Sequence, residues 1–527
     1  MPQAVGAGPR SDLHIPQAAL LQKPGFVLAA IFIAFLSIEC LLPLATAVKI
    51  GADEGFELAK AMLCSKGYHL YTEIWNDQPP LNTFLVTQIL EHVSTSVLAP
   101  RLMIIFFSAV LLGSVFTAAL RVHGLPVAAL AAMLVIASPG FLELSCSVMQ
   151  EIPGLALALA ALAVLIVGRS GKTRLTEIVS GLLLGMALQV KFIELVYLPV
   201  AGLILFLRSR KRSAQILAPP PKAQVEDDRV KVLFWFKPFF LSLLAFVASL
   251  ATTFVLLDFL LGGHFWLQFR QSWAAHFAAP VSSEYGSPDA HAFDWTVLLK
   301  IWDTSLPAMV GIVLSIRRWK QIPLGMIPVA WLILTLVVVE NHKPWWTYYY
   351  IHSAIPLCWC GALGATRICQ YVFTRRGAVL RTVFGAFAVG AAIWMGSRLS
   401  LQIIGIRNSP RIFSSLVLQE IQRLKPFTKF IYTDEPVYSF HSGIPLPPEL
   451  GVVSLKRFWS GDLSNARLVD ILVNRKPGLV LWHNETGALP FDPLLQTDYR
   501  LIYEDPQLHL YARTEVLEQA KQSSLTE

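Results

Sequence analysis

Two adjacent carboxylates, Asp53 and Glu54, directly follow the first long apolar segment of the chain. A carboxylate pair at the edge of a membrane can hold a metal ion, stabilise positive charge or accept a proton as a general base. The alternative role is structural, because an Asp can cap a helix N-terminus and a Glu in the first turn complements the helix dipole. The residue types leave both roles open and make Asp53 and Glu54 the candidate catalytic residues.

A second polar cluster, Asn76-Asp77-Gln78, lies shortly afterwards and is followed by Pro79-Pro80-Leu81. Polar groups this dense beside lipid suit a sugar-binding site, and the alternative is a solvated turn. The two prolines predict a rigid entry into the next helix. We expect residues 79–97 to form a helix that lies on the outer membrane surface without crossing the bilayer.

The elements that must position these residues are apolar helices. The chain of 527 residues is 54% hydrophobic and 15% charged, whereas a soluble domain is roughly a quarter charged. Apolar runs of about 16–24 residues are long enough to approach or cross the hydrocarbon core. The sequence therefore predicts a mainly α fold, a polytopic bundle of about eleven spans, with a small soluble α/β domain at the C-terminus. The predicted spans are 25–48, 100–120, 125–138, 152–168, 177–190, 192–207, 238–261, 295–316, 321–340, 346–364 and 378–398.

The loop charges set the predicted orientation, because cytoplasmic loops are enriched in Lys and Arg. With the N-terminus inside, most loop basic residues fall on the cytoplasmic side. The exceptions in the outer loops are Lys49, Lys60, Lys66, Lys191, Arg270 and Lys343. This orientation predicts a multi-pass protein of the plasma (inner) membrane, with its C-terminal domain outside.

The predicted domains are a transmembrane domain over 1–400, an outer α/β domain over 401–515 and a tail over 516–527. The transmembrane domain has two long outer loops, 49–99 and 262–294, and an amphipathic interfacial helix over 55–66. In the outer domain, Asn408 or Ser409 is predicted to cap a helix that runs to about Lys425. Further predicted elements are strands over 430–433, 452–455, 478–482, 501–503 and 508–511, and a helix over 465–474.

Three segments in order resemble the GT-C class of membrane glycosyltransferases, in particular bacterial relatives of protein O-mannosyltransferases and the lipid A aminoarabinose transferases. The first is the acidic pair after the first span, followed by an outer helix and Pro79-Pro80-Leu81. The second, Met149-Gln150-Glu151, resembles the acid-bearing second outer loop of that class, in which Asp is more usual. The third contains Asn341-His342-Lys343-Pro344, then Tyr348-Tyr349-Tyr350 and Pro356.

The resemblance implies transfer of a sugar from a polyprenyl-phosphate donor, with inversion at the anomeric carbon. Asp53 would then take the proton of the acceptor hydroxyl or amine. Lys343 and Lys191 would neutralise the donor phosphate, although either could instead be an anchor that reaches to the membrane surface. The remaining candidate substrate-binding residues are Tyr348, Tyr349, Asp77 and Glu151. The mechanism demands no metal, because a lysine can carry the leaving-group charge.

The amino-acid composition and the distribution of charge limit the number of alternative functions. The net charge of +8 comes from loops between apolar runs and forms no basic stripe, which argues against nucleic-acid binding. The expected partners are the lipid bilayer, the lipid-linked sugar donor and a protein, glycolipid or polysaccharide acceptor. The competing function is a secondary transporter or lipid flippase, which would place its polar residues near the membrane midplane.

Overall fold

The computed structural model describes residues 23–168, 174–216, 228–277, 292–375, 377–412, 415–483 and 490–526. Helices dominate as far as residue 412, and a small sheet lies beyond that point. The helices of the first part are α1 (Pro24–Glu39), α2 (Glu54–Ser65), α3 (Leu81–His92), α4 (Leu98–His123), α5 (Leu125–Ile136), α6 (Phe141–Cys146), α7 (Glu151–Val167), α8 (Leu175–Leu188), α9 (Tyr197–Ile216), α10 (Asp228–Leu260), α11 (Phe265–Phe277), α12 (Val297–Lys300), α13 (Trp302–Arg317), α14 (Ile327–Val338), α15 (Tyr350–Arg375) and α16 (Ala378–Ile412).

Each predicted span contains a helix. Among the described residues, four helical segments are both long and apolar enough to cross a bilayer: Leu98–His123, Phe192–Arg210, Lys237–Leu260 and Ala378–Asn408. Several other apolar helices, including α1, α5, α7 and α8, are shorter. The predicted number of about eleven spans therefore stays a prediction. The predicted outer loop 262–294 contains α11, and its residues 278–291 lie outside the described part.

Small residues allow the helices of the bundle to approach closely. The carbonyl of Pro307 on α13 lies where a side chain at Gly364 on α15 would stand, and Gly311 faces the carbonyl of Cys360 in the same way. Close backbone approach through glycine is a common means of packing membrane helices, since burial from water does not drive their association inside lipid. By contrast, the apolar window of α16 contains no fully buried residue, as suits a helix on the lipid-facing periphery.

Helix α2 differs from the prediction in its surroundings. Residues 54–65 are helical and the left-handed Gly67 follows, as the pattern indicated. However, the helix is not interfacial, because α3 and the C-terminal domain pack on it. Its charged residues Glu57 and Lys60 are buried, which is tolerable because they form an ion pair of 2.8 Å.

The C-terminal domain is a four-stranded sheet with helices. Strands β1 and β2 are parallel, whereas β4 runs antiparallel to both β2 and β3, in the order β1-β2-β4-β3. The strands are β1 (Ile431–Thr433), β2 (Leu479–His483), β3 (Tyr499–Glu504) and β4 (Leu508–Arg513). The helices are α17 (Ser415–Leu424), α18 (Pro436–Ser442), α19 (Leu455–Trp459), α20 (Asn465–Arg475), α21 (Asp492–Asp498) and α22 (Thr514–Thr526).

Two predicted elements in this region are wrong, and the segment predicted as a tail contains α22. Helix α16 continues past the expected cap at Asn408, because Leu399, Ile403 and Ile406 keep its apolar face against the bundle. Residues 452–455 form no strand; α19 begins there instead. The Arg457 guanidinium on α19 donates to the carbonyls of Glu449 (2.8 Å) and Val452 (2.7 Å) and so folds this segment back on itself.

The C-terminal domain docks on the N-terminal end of α2. Lys49 forms a 2.6 Å ion pair with Glu435, and the imidazole of His441 bonds the carbonyl of Val48 at 2.9 Å. Gly55 allows the closest contact, since a Cβ there would lie 2.9 Å from the backbone nitrogen of Val437. The domain therefore forms a roof over the residues that follow the first apolar helix.

Candidate active site

A polar cavity of about 240 Å³ lies beneath this roof. Its walls come from the start of α2, the segment 75–78, a 3-10 helix at Thr347–Tyr349 and the C-terminal segment 452–456. Its charged lining residues are Asp53, Glu57, Lys60, Asp77, Lys191 and Lys456. The fold thus brings together residues that are distant in sequence and differ in charge sign.

Asp53 occupies the N-cap position of α2, but its side chain makes no capping hydrogen bond. It accepts a hydrogen bond from the hydroxyl of Tyr348 instead and lines the cavity. The side chain of Asp53 therefore does not cap the helix, which was the structural alternative. A half-buried carboxylate that faces a cavity is placed to accept a proton from a bound group.

Glu54 points the other way and is completely buried. Its two carboxylate oxygens accept 2.8 Å hydrogen bonds from Nε and Nη2 of Arg101. Further hydrogen bonds come from the backbone N–H groups of Ile50 (2.8 Å) and Val148 (3.1 Å). Glu54 is absent from the lining of the cavity. Of the two candidate catalytic acids, Asp53 is therefore accessible from the cavity, whereas the carboxylate of Glu54 is occupied by hydrogen bonds within the protein.

The floor of the cavity is a hydrogen-bonded network that the sequence analysis missed. Glu57 accepts from Lys60 (2.8 Å), Gln150 (3.1 Å) and Asn82 (3.2 Å), and Lys60 also donates to Asn76 at 3.0 Å. The spacing of three residues between Glu57 and Lys60 on a helix was the available signal. These bonds fix both side chains at the edge of the cavity.

Asp77 lies at the cavity wall, where the sequence analysis expected a substrate-binding residue. The amide of Gln78 donates to its carboxylate at 3.2 Å. The ammonium of Lys456 lies 3.3 Å from the same oxygen and belongs to the C-terminal domain. Nothing in the local sequence pattern around Lys456 indicated this position.

Lys191 is buried beside two tyrosines and one carboxylate. It forms an ion pair with Glu151, and its Nζ lies 5.2 Å and 5.1 Å from the ring centroids of Tyr348 and Tyr349. Burial alone would lower the pKa of Lys191, but the charge of Glu151 and the neighbouring Tyr349 outweigh it and raise the pKa above its usual value. Lys191 therefore stays protonated. Glu151 holds Lys191 and does not itself line the cavity.

A second, apolar cavity of about 590 Å³ adjoins the polar one. Its lining includes Phe192, Leu195, Phe254, Val255 and Phe265, and Lys191 and Gln78 line both cavities. A charged head and an apolar chain of one molecule can therefore meet at the junction of the two cavities, next to Lys191.

Lys343 does not occupy the position that its motif suggested. Its side chain is exposed. In the part of the chain that the structure describes, Lys343 lines none of these three cavities. Its neighbours in the motif do reach the site, because Tyr348 lines the polar cavity and Tyr349 lines the apolar one.

A third cavity, of about 580 Å³, also has Tyr348 in its lining. It combines aromatic walls, Trp345 and Trp394, with the polar groups of Glu143, Arg398 and Gln402. Tyr348, whose hydroxyl bonds Asp53, belongs to the linings of both the third and the polar cavity.

Comparisons with known proteins agree with this arrangement. A family model described as dolichyl-phosphate-mannose-protein mannosyltransferase matches residues 77–225. No curated protein sequence matches the chain. The structure is similar to that of ArnT from Cupriavidus metallidurans bound to undecaprenyl phosphate, with a TM-score of 0.59, 13% identity, and coverage of 92% of this chain and 97% of that one.

Two structures of an archaeal enzyme also match. The apo oligosaccharyltransferase of Archaeoglobus fulgidus gives a TM-score of 0.56 and 11% identity, covering 93% of this chain and 74% of that one. The same organism's AglB, in complex with an inhibitory peptide and a dolichol-phosphate, gives 0.52 and 12% identity with the same coverage. The chain therefore shares its fold with membrane glycosyltransferases of the GT-C class, and part of it matches the mannosyltransferase family model.

Proposed function

We propose that the protein transfers a sugar from a polyprenyl-phosphate donor to an acceptor hydroxyl or amine at the outer face of the plasma (inner) membrane. The observation that carries this proposal is the junction at Lys191, where a polar cavity with an accessible carboxylate meets an apolar cavity. A prenyl chain fits the apolar cavity, its phosphate fits the junction and its sugar fits the polar cavity. The similar ArnT structure holds undecaprenyl phosphate, which supports this class of donor.

The reaction follows from the charges at the site. The acceptor oxygen or nitrogen attacks the anomeric carbon from the side of Asp53, which takes the acceptor proton. The bond between the anomeric carbon and the phosphate oxygen breaks, and its electron pair stays on the phosphate, which gains a negative charge. Lys191 stabilises that charge as it develops. Attack opposite the leaving group inverts the anomeric configuration.

The third cavity supports an approach path for the acceptor. It shares Tyr348 with the polar cavity and shares no lining residue with the apolar cavity. Its aromatic and charged lining suits an acceptor with both apolar and polar parts, a class that includes glycolipids and aromatic-rich peptides. The acceptor would then face Asp53 while the donor phosphate stays at Lys191.

The test is sugar transfer in proteoliposomes from a panel of undecaprenyl-phosphate hexoses and pentoses. The proposal expects transfer from at least one donor, a product of inverted anomeric configuration by NMR, and inhibition by undecaprenyl phosphate but not by undecaprenol. The same vesicles are assayed for movement of the labelled lipid or sugar across the bilayer. Movement without transfer from any donor would support the transporter or flippase alternative and overturn the proposal.

A further inference from the structure

The C-terminal domain contributes a cation to the cavity that the proposed mechanism does not yet use. Lys456 lies on α19 and lines the polar cavity together with residues 452–455. Its side chain is 13% exposed, and its described partner is Asp77 on the first outer loop. A lysine this enclosed, on a different domain from the rest of the site, requires an explanation.

The neighbouring contacts hold Lys456 at a defined position. The guanidinium of Arg457 stacks on Trp75, with 5.3 Å between its central carbon and the ring centroid. The same group bonds Asp462 at 2.8 Å and two backbone carbonyls. Two consecutive residues of α19, Lys456 and Arg457, thus contact Asp77 and Trp75 of the segment 75–78. This rigid support places the ammonium of Lys456 at the cavity wall.

Lys456 lies close to the junction where the donor phosphate is proposed to bind. Its partner Asp77 is bonded by Gln78, which lines both the polar and the apolar cavity. His342, which lines the apolar cavity, lies within the electrostatic influence of both lysines. Burial lowers the pKa of its imidazole, and the positive charges of Lys456 and Lys191 lower it further. Burial would lower the pKa of Lys456 itself, but Asp77 and Tyr349 outweigh it, so Lys456 is protonated.

A charge count shows why one lysine is not enough. Lys191 is paired with Glu151, Lys60 with Glu57 and Lys456 with Asp77, so each of these three lysines faces one carboxylate before a donor binds. During transfer, the phosphate changes from a diester with one negative charge to a monoester with more. A second ammonium beside the junction would stabilise the added charge, because hydrogen bonds between charged partners are about twice as strong as neutral ones.

We propose that Lys456 binds the phosphate of the lipid-linked donor together with Lys191, so that the C-terminal domain completes the donor site. This inference rests on the proposed function. Asp77 positions Lys456 and competes with the phosphate for its ammonium. Loss of the Asp77 charge should therefore leave Lys456 more available to the phosphate, whereas loss of the Lys456 charge should weaken phosphate binding. A purely structural ion pair would give the same effect in both variants.

The experiment measures the affinity of the purified full-length protein in nanodiscs for undecaprenyl phosphate, with undecaprenol as the uncharged probe. Lys456→Met should weaken binding of the phosphate by about 10- to 100-fold and leave binding of the alcohol unchanged. Asp77→Asn should bind the phosphate at least as tightly as the wild type, because Lys456 loses its competitor. Lys456→Gln, which keeps a hydrogen bond to Asp77 but not the charge, replaces the Met variant if that variant fails to fold.

Lys49→Met is the matched control. Lys49 also joins the two domains through an ion pair of similar burial, with Glu435, and is absent from the lining of the described cavities. Its affinity for the phosphate should equal that of the wild type. The inference is overturned if Lys456→Met and Asp77→Asn weaken binding alike, if Lys49→Met matches them, or if Lys456→Met has no effect. A wild-type protein that does not prefer the phosphate to the alcohol would instead contradict the proposed function.

Discussion

The two faces of the first turn of α2 differ although adjacent residues form them. One face carries Asp53, half-buried, bonded by one tyrosine and open to a cavity. The other carries Glu54, fully buried and bonded by Arg101 and two backbone N–H groups. The first carboxylate keeps acceptor capacity for a substrate, whereas the second has used its own to hold α2 against α4. Chemistry and stability are therefore expected to respond to different mutations at neighbouring positions.

The largest expected effect is on the open face. Asp53→Asn removes the proposed general base and should lower the rate of sugar transfer by about 10²- to 10⁴-fold, with no change in the unfolding temperature. The measurement is single-turnover transfer at matched protein amounts. Glu91→Gln, at an exposed carboxylate of α3, serves as the control and should retain activity. Equal losses in the two variants would contradict the role of Asp53.

On the closed face, Glu54→Gln leaves Arg101 buried without a charge partner. The free energy of unfolding should fall by about 3–5 kcal/mol, while the protein that remains folded transfers sugar normally. Denaturant unfolding in detergent measures the loss. In the double variant Glu54→Gln/Arg101→Met, part of the stability should return, because the unpaired charge is gone. A stable single variant without activity would mean that Glu54 takes part in chemistry.

Lys191 is expected to contribute both to donor binding and to stability. Lys191→Met should raise the KM for the donor by about 10- to 100-fold through loss of a charge-assisted contact, and it should also destabilise the protein because Glu151 stays buried. The double variant Lys191→Met/Glu151→Gln separates the two effects. It should recover the unfolding temperature but keep the high KM. Recovery of both would make the ion pair purely structural.

Tyr348→Phe is expected to have a smaller effect. The hydroxyl of Tyr348 donates to Asp53, and its loss should reduce the rate by about 3- to 10-fold, as for one neutral donor to a carboxylate. The KM for the donor should change little, because the ring that faces Lys191 remains. A rate loss as large as that of Asp53→Asn would assign the proton transfer to the tyrosine.

The smallest effect is expected at an ion pair of the C-terminal domain that does not line the polar cavity. The hydrogen bond to Asp434, 2.8 Å long, raises the pKa of His483 above its usual value. A raised pKa in the folded state means that the pair stabilises the protein below about pH 6.5 and loses this contribution as the pH rises through the folded pKa. The unfolding temperature of His483→Gln should therefore lie below that of the wild type at pH 6, by an amount equivalent to about 1 kcal/mol or less. The gap should close at pH 8, and a gap that does not depend on pH would contradict this assignment.

The sequence predicted the helices and the strands around 430, 480, 501 and 510 because apolar periodicity and turn residues report local structure. It also identified Asp53, which follows the first apolar segment, and Asp77, which lies in a dense cluster of polar residues. It did not separate Asp53 from Glu54, because their difference arises from Arg101, a contact made 47 residues along the chain. It gave Lys343 the same weight as Lys191, because both are among the few lysines in the predicted outer loops, whereas tertiary packing buries only Lys191 of the two.

The contact between Asp77 and Lys456 joins positions 379 residues apart, and this distance has a consequence for biogenesis. A nascent chain that ends before residue 452 already contains Asp53 and Lys191, but it lacks the wall that residues 452–456 provide. The cavity closes after the last helix of the bundle has delivered the C-terminal domain to α2. Synthesis and completion of the site are thus separated in time, so a truncated translation product would carry the proposed general base without the enclosed cavity around it.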